Sequence, residues 1–375
     1  MLKDKIVYIY NTELIKQCDK LPSMSNRASI VQDLISSYNL LSHQSIVAVQ
    51  SENATEDELL SFHASDYVNM LKSLNSFDTN MDDVKEEHLE YGLGYDCPIL
   101  NNIFDFVSCV TGSSVSGAKL LAAEKCKTVI NWFGGWHHSQ RDSASGFCYA
   151  NDIVIAIQLL YMKFERILYV DLDIHHGDGV QNAFQYSNKV LTLSYHKYCP
   201  GFFPNTGNID DIGAGKGKYF SLNIPLKEGV SDKTYIEIFS KTFPLIYETF
   251  KPKALVVQCG ADGLNEDPIG ESNLTLNGIG TCIKTILGCD IPTLFLGGGG
   301  YNLPNTARLW TYLTSLIVNQ ELENDIPDSS KYFCEYGPSF ELHIAEGRKK
   351  DHNTTQHINS MVEKITYYCD LISKS

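Results

Sequence analysis

Short apolar runs recur along this chain, separated by stretches whose apolar residues fall at helical spacing. Residues 6–10 and 45–50 predict two early strands, and residues 25–37 predict a helix between them with Ile30, Leu34 and Ile35 on one face. Thr55 and Glu58 form a capping-box pattern ahead of a further helix, while Gly92, Gly94 and Pro98 make 91–98 a loop. Residues 104–124 read as a long helix rich in small side chains. From there strand and helix alternate. Strands are expected at 128–133, 167–170, 190–195, 220–224, 254–258 and 293–296, and helices at 151–164, 180–184, 231–250, 275–287 and 305–318. The tail after Glu321 is polar, with one closing helix over 355–371. Strand runs that are apolar throughout suit a sheet covered on both sides. The pattern therefore predicts an α/β fold, a single domain over residues 1–375 built on a mostly parallel multi-stranded sheet with helices on both faces. No proline- or serine-rich linker and no internal repeat divides it.

Four of these strands end alike. The 128–133 strand leads to His137-His138, and the 167–170 strand to Asp171, Asp173, His175, His176 and Asp178. The 254–258 strand leads to Gly260-Ala261-Asp262, and the 293–296 strand to Gly297 through Gly300 and Tyr301. Open parallel sheets bind ligands beyond the carboxyl ends of their strands, so one sheet edge would collect aspartates, histidines and a tyrosine. In extended backbone Asp171, Asp173 and His175 point to one side. Asp173 and His175, joined by Asp262, offer two carboxylates and an imidazole, a donor set for a divalent transition metal that leaves a position for water or substrate. His137 and His138 are either further ligands or acid–base groups, and adjacent residues rarely both reach one ion. A catalytic imidazole needs a partner on its other nitrogen, for which Asp171 and Asp178 are candidates. The Gly297–Gly300 run lacks the Gly-Lys-Ser/Thr ending of a phosphate loop, and residues 213–217 precede a strand and read as a turn. No Gly-x-Ser-x-Gly elbow is present. Gly146-Phe147 and Phe202-Phe203 fall in loops after strands, where facing phenylalanines would form a slot for an aliphatic chain.

Composition narrows the classes. The chain has 375 residues, 43% of them hydrophobic, which suffices for a large core. A formal net charge of -15 disfavours binding nucleic acid through its phosphates. The same charge serves solubility, or attraction for lysine-rich partners. Eleven cysteines, none spaced C-x-x-C, argue against zinc ribbons and thioredoxin-like sites, and reduced, buried thiols are expected. No apolar leader or membrane-spanning run is read in the sequence.

At these residues the chain resembles the class I zinc-dependent histone deacetylases, most of all their type 8 branch. The matching segments include 90–98, Gly134-Gly135-Trp136-His137-His138, 144–149, 167–179, Pro200-Gly201-Phe202-Phe203-Pro204 and 297–302. The resemblance implies an arginase/deacetylase-like domain that hydrolyses N-ε-acetyl-lysine in histone tails and other proteins. It implies Zn²⁺, or alternatively Fe²⁺, on Asp173, His175 and Asp262. His138 with Asp178 would be the general base, His137 with Asp171 would stabilise charge, and Tyr301 would donate to the oxyanion. Asp96, Gly146, Phe147, Phe203, Ile269 and Gly299 would contact substrate. Structural K⁺ would sit at Asp171, Asp173, His175, Ser194 and Tyr195, and a second cation at Phe184, Ser187, Val190 and Phe220. Ile269 stands where type 8 relatives often carry methionine, so substrate preference at the mouth is expected to differ. Cys97 and Cys148, beside Asp96 and Phe147, suggest a redox link. The resemblance also implies a nuclear and cytoplasmic protein that needs no corepressor. A binuclear ureohydrolase of the same fold and a non-enzymatic acetyl-lysine binder are the competing readings.

Overall fold

A computed structural model describes residues 4–76 and 84–374. Met1 to Lys3, part of the segment read above as carrying no apolar leader, lie outside them. Eight strands form one sheet: β1 (Ile6–Ile9), β2 (Ile46–Val49), β3 (Thr128–Asn131), β4 (Ile167–Asp171), β5 (Val190–Lys197), β6 (Ser221–Leu226), β7 (Ala254–Gln258) and β8 (Thr293–Leu296). Their order is β2-β1-β3-β8-β7-β4-β5-β6, and every pairing is parallel. The four strands singled out by their polar ends, β3, β8, β7 and β4, are consecutive neighbours at the centre. Alternating side chains feed two apolar clusters. Ile130, Leu168, Val170, Leu255, Val257 and Phe295 enter one, while Val129, Ile167, Tyr169, Val256, Leu294 and Leu296 enter the other. In β4, β7 and β8 both faces are therefore dry, which is why these strands carry no polar alternation.

Helices cover both faces. Ile103–Ala122 packs on Asp152–Phe164, and Arg27–Ser37 on Leu303–Ile317. Asn151, Ser231, Thr275 and Asn302 cap the helices they precede, each accepting a backbone N–H in the first turn. The Thr55–Glu58 capping box is present on Glu56–Leu60, and residues 213–217 turn into β6 through a short 3₁₀ element. Among the described residues no helix is long and apolar enough to cross a membrane. The β3 strand stops at Asn131, short of the expected 133. Trp132 leaves the sheet to stack on Trp310 at 5.8 Å, so the apolar run outlasts the strand.

Candidate active site

The carboxyl ends of β3, β8, β7 and β4 converge on Asp173, His175 and Asp262. These three are buried, and one ligand atom from each lies within 4.8 Å of the others. His175 Nδ1 lies 2.9 Å from Asp262 Oδ2 and 3.3 Å from Asp173 Oδ1. The remaining carboxylate oxygens are held by N–H donors. Asp173 Oδ2 accepts from Gln258 Nε2 at 2.8 Å and from the Gly299 amide at 2.9 Å, and Asp262 Oδ1 accepts from the Ile174 amide at 3.0 Å. The i to i+2 pattern read from the sequence is visible in the amides of Asp173 and His175, which donate back to Asp171 and Asp173.

Two buried carboxylates this close repel one another. Burial and Asp173 push Asp262 up to about 7. Burial opposes ionisation of Asp173 too, but His137 and His175 outweigh it and hold Asp173 well below the carboxylate range. His175 loses proton affinity to burial and regains more from the carboxylates, reaching about 10. A divalent cation would balance both charges with a neutral imidazole beside them, so the donor set fits such an ion.

The two histidines after β3 are held differently. His137 Nδ1 bonds Asp171 Oδ2 at 2.8 Å, and His138 Nδ1 bonds Asp178 Oδ1 at 2.7 Å. Burial lowers His137, but Asp171 and Asp173 lift it to about 9; burial and the neighbouring His137 drop His138 to about 4 despite Asp178. The surroundings thus push the two imidazoles in opposite directions, His137 toward holding a proton and His138 toward losing it. Their loop is tied down by Asp152, which accepts from the amides of Gly135 at 3.0 Å and Trp136 at 2.8 Å and from the Ser114 hydroxyl.

An open vestibule of about 330 Å³ leads to the cluster, lined by Asp96, His138, Gly146, Phe147, His175, Phe202, Phe203, Ile269 and Tyr301. Phe203 and Ile269 are 41% and 38% exposed, so both belong to its rim. Asp96 Oδ2 accepts the Gly146 amide at 2.7 Å, and the Gly146 carbonyl faces the Cys148 thiol at 3.3 Å. Gly146 has φ +54°, and a Cβ there would press into the His138 ring and Phe203. The Phe147 and Tyr301 rings lie 5.4 Å apart. Cys97 and Cys148 are free and buried, which pushes both thiols up, and Cys97 Sγ faces the Cys148 carbonyl at 3.8 Å.

Several supports escaped the sequence reading. Arg27, buried, donates to the carbonyls of Gly298 and Gly300, both at 3.0 Å, and so holds the glycine loop. Asp267 accepts the amides of Tyr301 at 2.7 Å and Asn302 at 3.2 Å. Lys197 is buried with Nζ 4.1 Å above Phe202 and paired with Glu271, while Phe202 lies flat on His175, centroids 4.9 Å apart and planes 4° apart. Of the residues expected around monovalent cations, Ser194 pairs with Asp171 across β4 and β5, and its hydroxyl bonds His196 Nδ1 at 2.8 Å. Tyr195 follows on β5 with its hydroxyl on Thr242. Phe184 ends the Asp178–Phe184 helix with its carbonyl accepting the Ser187 amide at 2.8 Å, Val190 opens β5, and the Phe220 carbonyl accepts the Thr192 amide at 3.0 Å.

The family model described as "Histone deacetylase domain" matches residues 21–317. The chain is similar to histone deacetylase 8 of Xenopus tropicalis, 46% identical over 360 residues and 96% of each chain. It is similar to histone deacetylase 8 of Danio rerio, 43% identical over 360 residues, 96% of this chain and 94% of that one. Histone deacetylase 1 of Homo sapiens is 39% identical over 344 residues, 92% of this chain and 70% of the relative.

Proposed function

This chain belongs to the histone deacetylase family and is a hydrolytic protein lysine deacetylase; from that premise we propose how its site removes the acetyl group from N-ε-acetyl-lysine. The observation that carries the reading is the convergence of Asp173, His175 and Asp262 beside His138, whose ring centre lies 6.1 Å from that of His175. Asp173, His175 and Asp262 would hold a divalent cation, Zn²⁺ or alternatively Fe²⁺, which would supply a Lewis acid for the acetyl carbonyl and lower the pKa of a nearby water.

The lysine stem enters between Phe147 and Phe203, with its amide N–H toward the Gly146 carbonyl and the flanking peptide backbone on Asp96. His138 Nδ1 is committed to Asp178, which leaves Nε2 to serve as the basic nitrogen on the vestibule side. It takes a proton from the attacking water as the C–O bond forms, and returns a proton to the lysine nitrogen as the C–N bond breaks. Acetate and a free lysine amine result. His137, its proton held by Asp171, offsets negative charge as it develops. The Tyr301 hydroxyl donates to the oxyanion, and Asp267 and Arg27 fix the loop that carries it. The single Asp/His donor cluster found among the described residues favours a one-metal hydrolase over a binuclear ureohydrolase.

We place the whole chain in one catalytic domain acting on acetylated histone tails and other acetyl-lysine proteins in nucleus and cytoplasm, without a corepressor and without direct nucleic-acid binding. K⁺ at Asp171, Asp173, His175, Ser194 and Tyr195, and a second cation at Phe184, Ser187, Val190 and Phe220, would brace β4 and β5. Asp262→Ala should lose both bound metal and turnover on a fluorogenic acetyl-lysine peptide; parental activity in that variant would reject the assignment.

A further inference from the structure

Asp178 has two carboxylate oxygens, and only one faces His138. Oδ1 bonds His138 Nδ1 at 2.7 Å, while Oδ2 accepts from Gln140 Nε2 at 2.9 Å. The same Nε2 gives its other N–H to the His138 carbonyl at 3.0 Å. One amide therefore closes a ring through the imidazole, the carboxylate and the main chain of the base itself. Only one orientation of that amide works. Turned over, Gln140 Oε1 would face a carboxylate and a carbonyl with no proton between them. Asn182 fixes the choice, because its Nδ2 donates to Gln140 Oε1 at 3.1 Å. The helix Asp178–Phe184 sets Asp178 and Asn182 four residues apart on one face, which brings both to Gln140.

Gln140 and Asn182 line a separate open pocket of about 340 Å³ together with Ser61, Phe62 and Arg141; it shares no residue with the substrate vestibule. The Gln140 side chain therefore does not touch the vestibule, and its amide N–H bonds lead to it through Asp178 and His138. An imidazole that acts as a base needs its other nitrogen held by a fixed acceptor.

We propose that Gln140, oriented by Asn182, is a positioning residue for deacetylation: it locks the plane of the Asp178 carboxylate and thereby the tautomer and aim of His138. The inference rests on His138 acting as the base. Gln140→Met keeps the length and removes the donor. It should lower kcat about tenfold with KM within about twofold, the usual scale for losing a hydrogen bond behind a working imidazole. Gln140→Lys, which returns a donor to Asp178, should recover most of the loss. In an Asp178→Asn background, Gln140→Met should change kcat by less than about twofold, because the carboxylate it positions is gone. Metal content and thermal unfolding of each variant report on folding. Asn182→Ala, at an exposed position, carries the test if Gln140→Met does not fold, with an expected loss of about threefold in kcat. Parental kcat in Gln140→Met, or the same tenfold loss in the Asp178→Asn background, would overturn the inference. Parental turnover in His138→Ala would instead remove the base assignment beneath it.

Discussion

Raising the pH should tighten divalent-cation binding by about tenfold per unit between pH 7 and 9, because the cation competes with a proton. His175 Nδ1 lies 2.9 Å from Asp262 Oδ2, a hydrogen bond that needs a proton between the two atoms. Burial pulls His175 down, but Asp262 and Asp173 lift it to about 10, and burial with Asp173 raises Asp262 to about 7. A cation can occupy Nδ1 only once that proton has left. The proton is a product of binding, so higher pH favours the complex and lower pH opposes it. From pH 7 toward 10 about one proton leaves per cation, and each pH unit is worth about 1.4 kcal/mol. Below pH 7 Asp262 also binds a proton, and the slope should steepen toward about two. Competition with a chromophoric chelator from pH 6 to 9 gives the slope. Calorimetry in two buffers of different ionisation enthalpy counts the protons released. A flat affinity profile, or binding with no proton release at pH 7.5, would refute the assignment of His175 and Asp262 to one shared ion.

Other changes test other parts of the site. Tyr301→Phe removes only a hydroxyl and should cut kcat by about 10²–10³-fold with little change in KM, as loss of an oxyanion donor does; steady-state kinetics showing kcat unchanged would exclude Tyr301 from the reaction. A Cβ at Gly299 would meet the carboxylates of Asp262 and Asp173. Gly299→Ala should therefore weaken metal retention by about tenfold or more, read as metal content after dialysis; full retention would contradict the close approach. Lys197→Met removes the buried ammonium above Phe202 and the pair with Glu271. It should destabilise the protein by about 2 kcal/mol in denaturant unfolding, and an unchanged midpoint would show that the contact contributes nothing.

The strands and their polar ends were legible because a parallel sheet covered on both faces needs unbroken apolar runs, and the chain supplies one for each strand. Their lateral order was not legible. Nothing local in 293–296 says that it lies between β3 and β7, yet that placement brings Gly299 to Asp173. The clustering of Asp173, His175 and Asp262 was readable because each sits at a strand end in a short motif. Their supports were not, because each acts across a long stretch of chain. Arg27 reads as an ordinary helix charge, and only the fold brings it to the carbonyls of Gly298 and Gly300. Gln258 carried a faint signal as a polar residue closing an apolar run, and it proves to hold Asp173. Asp152 looked like a first-turn helix residue but anchors the amides before His137. The helices Thr12–Cys18 and Ser65–Ser73 were missed since they are short, only seven and nine residues. Phe147 and Phe203 both reach the vestibule, and Phe202, read with Phe203 as part of the same aromatic loop, is the one stacked on His175.

One ion held by Asp173, His175 and Asp262 is what the proposed deacetylation depends on. The direct measurement is acetate release from an acetyl-lysine peptide by protein stripped with a strong chelator and then titrated with Zn²⁺ or Fe²⁺. Stripped protein should release no acetate, and recovery should saturate at about one equivalent per chain. Undiminished cleavage by stripped protein, or saturation only at two equivalents, would contradict that dependence.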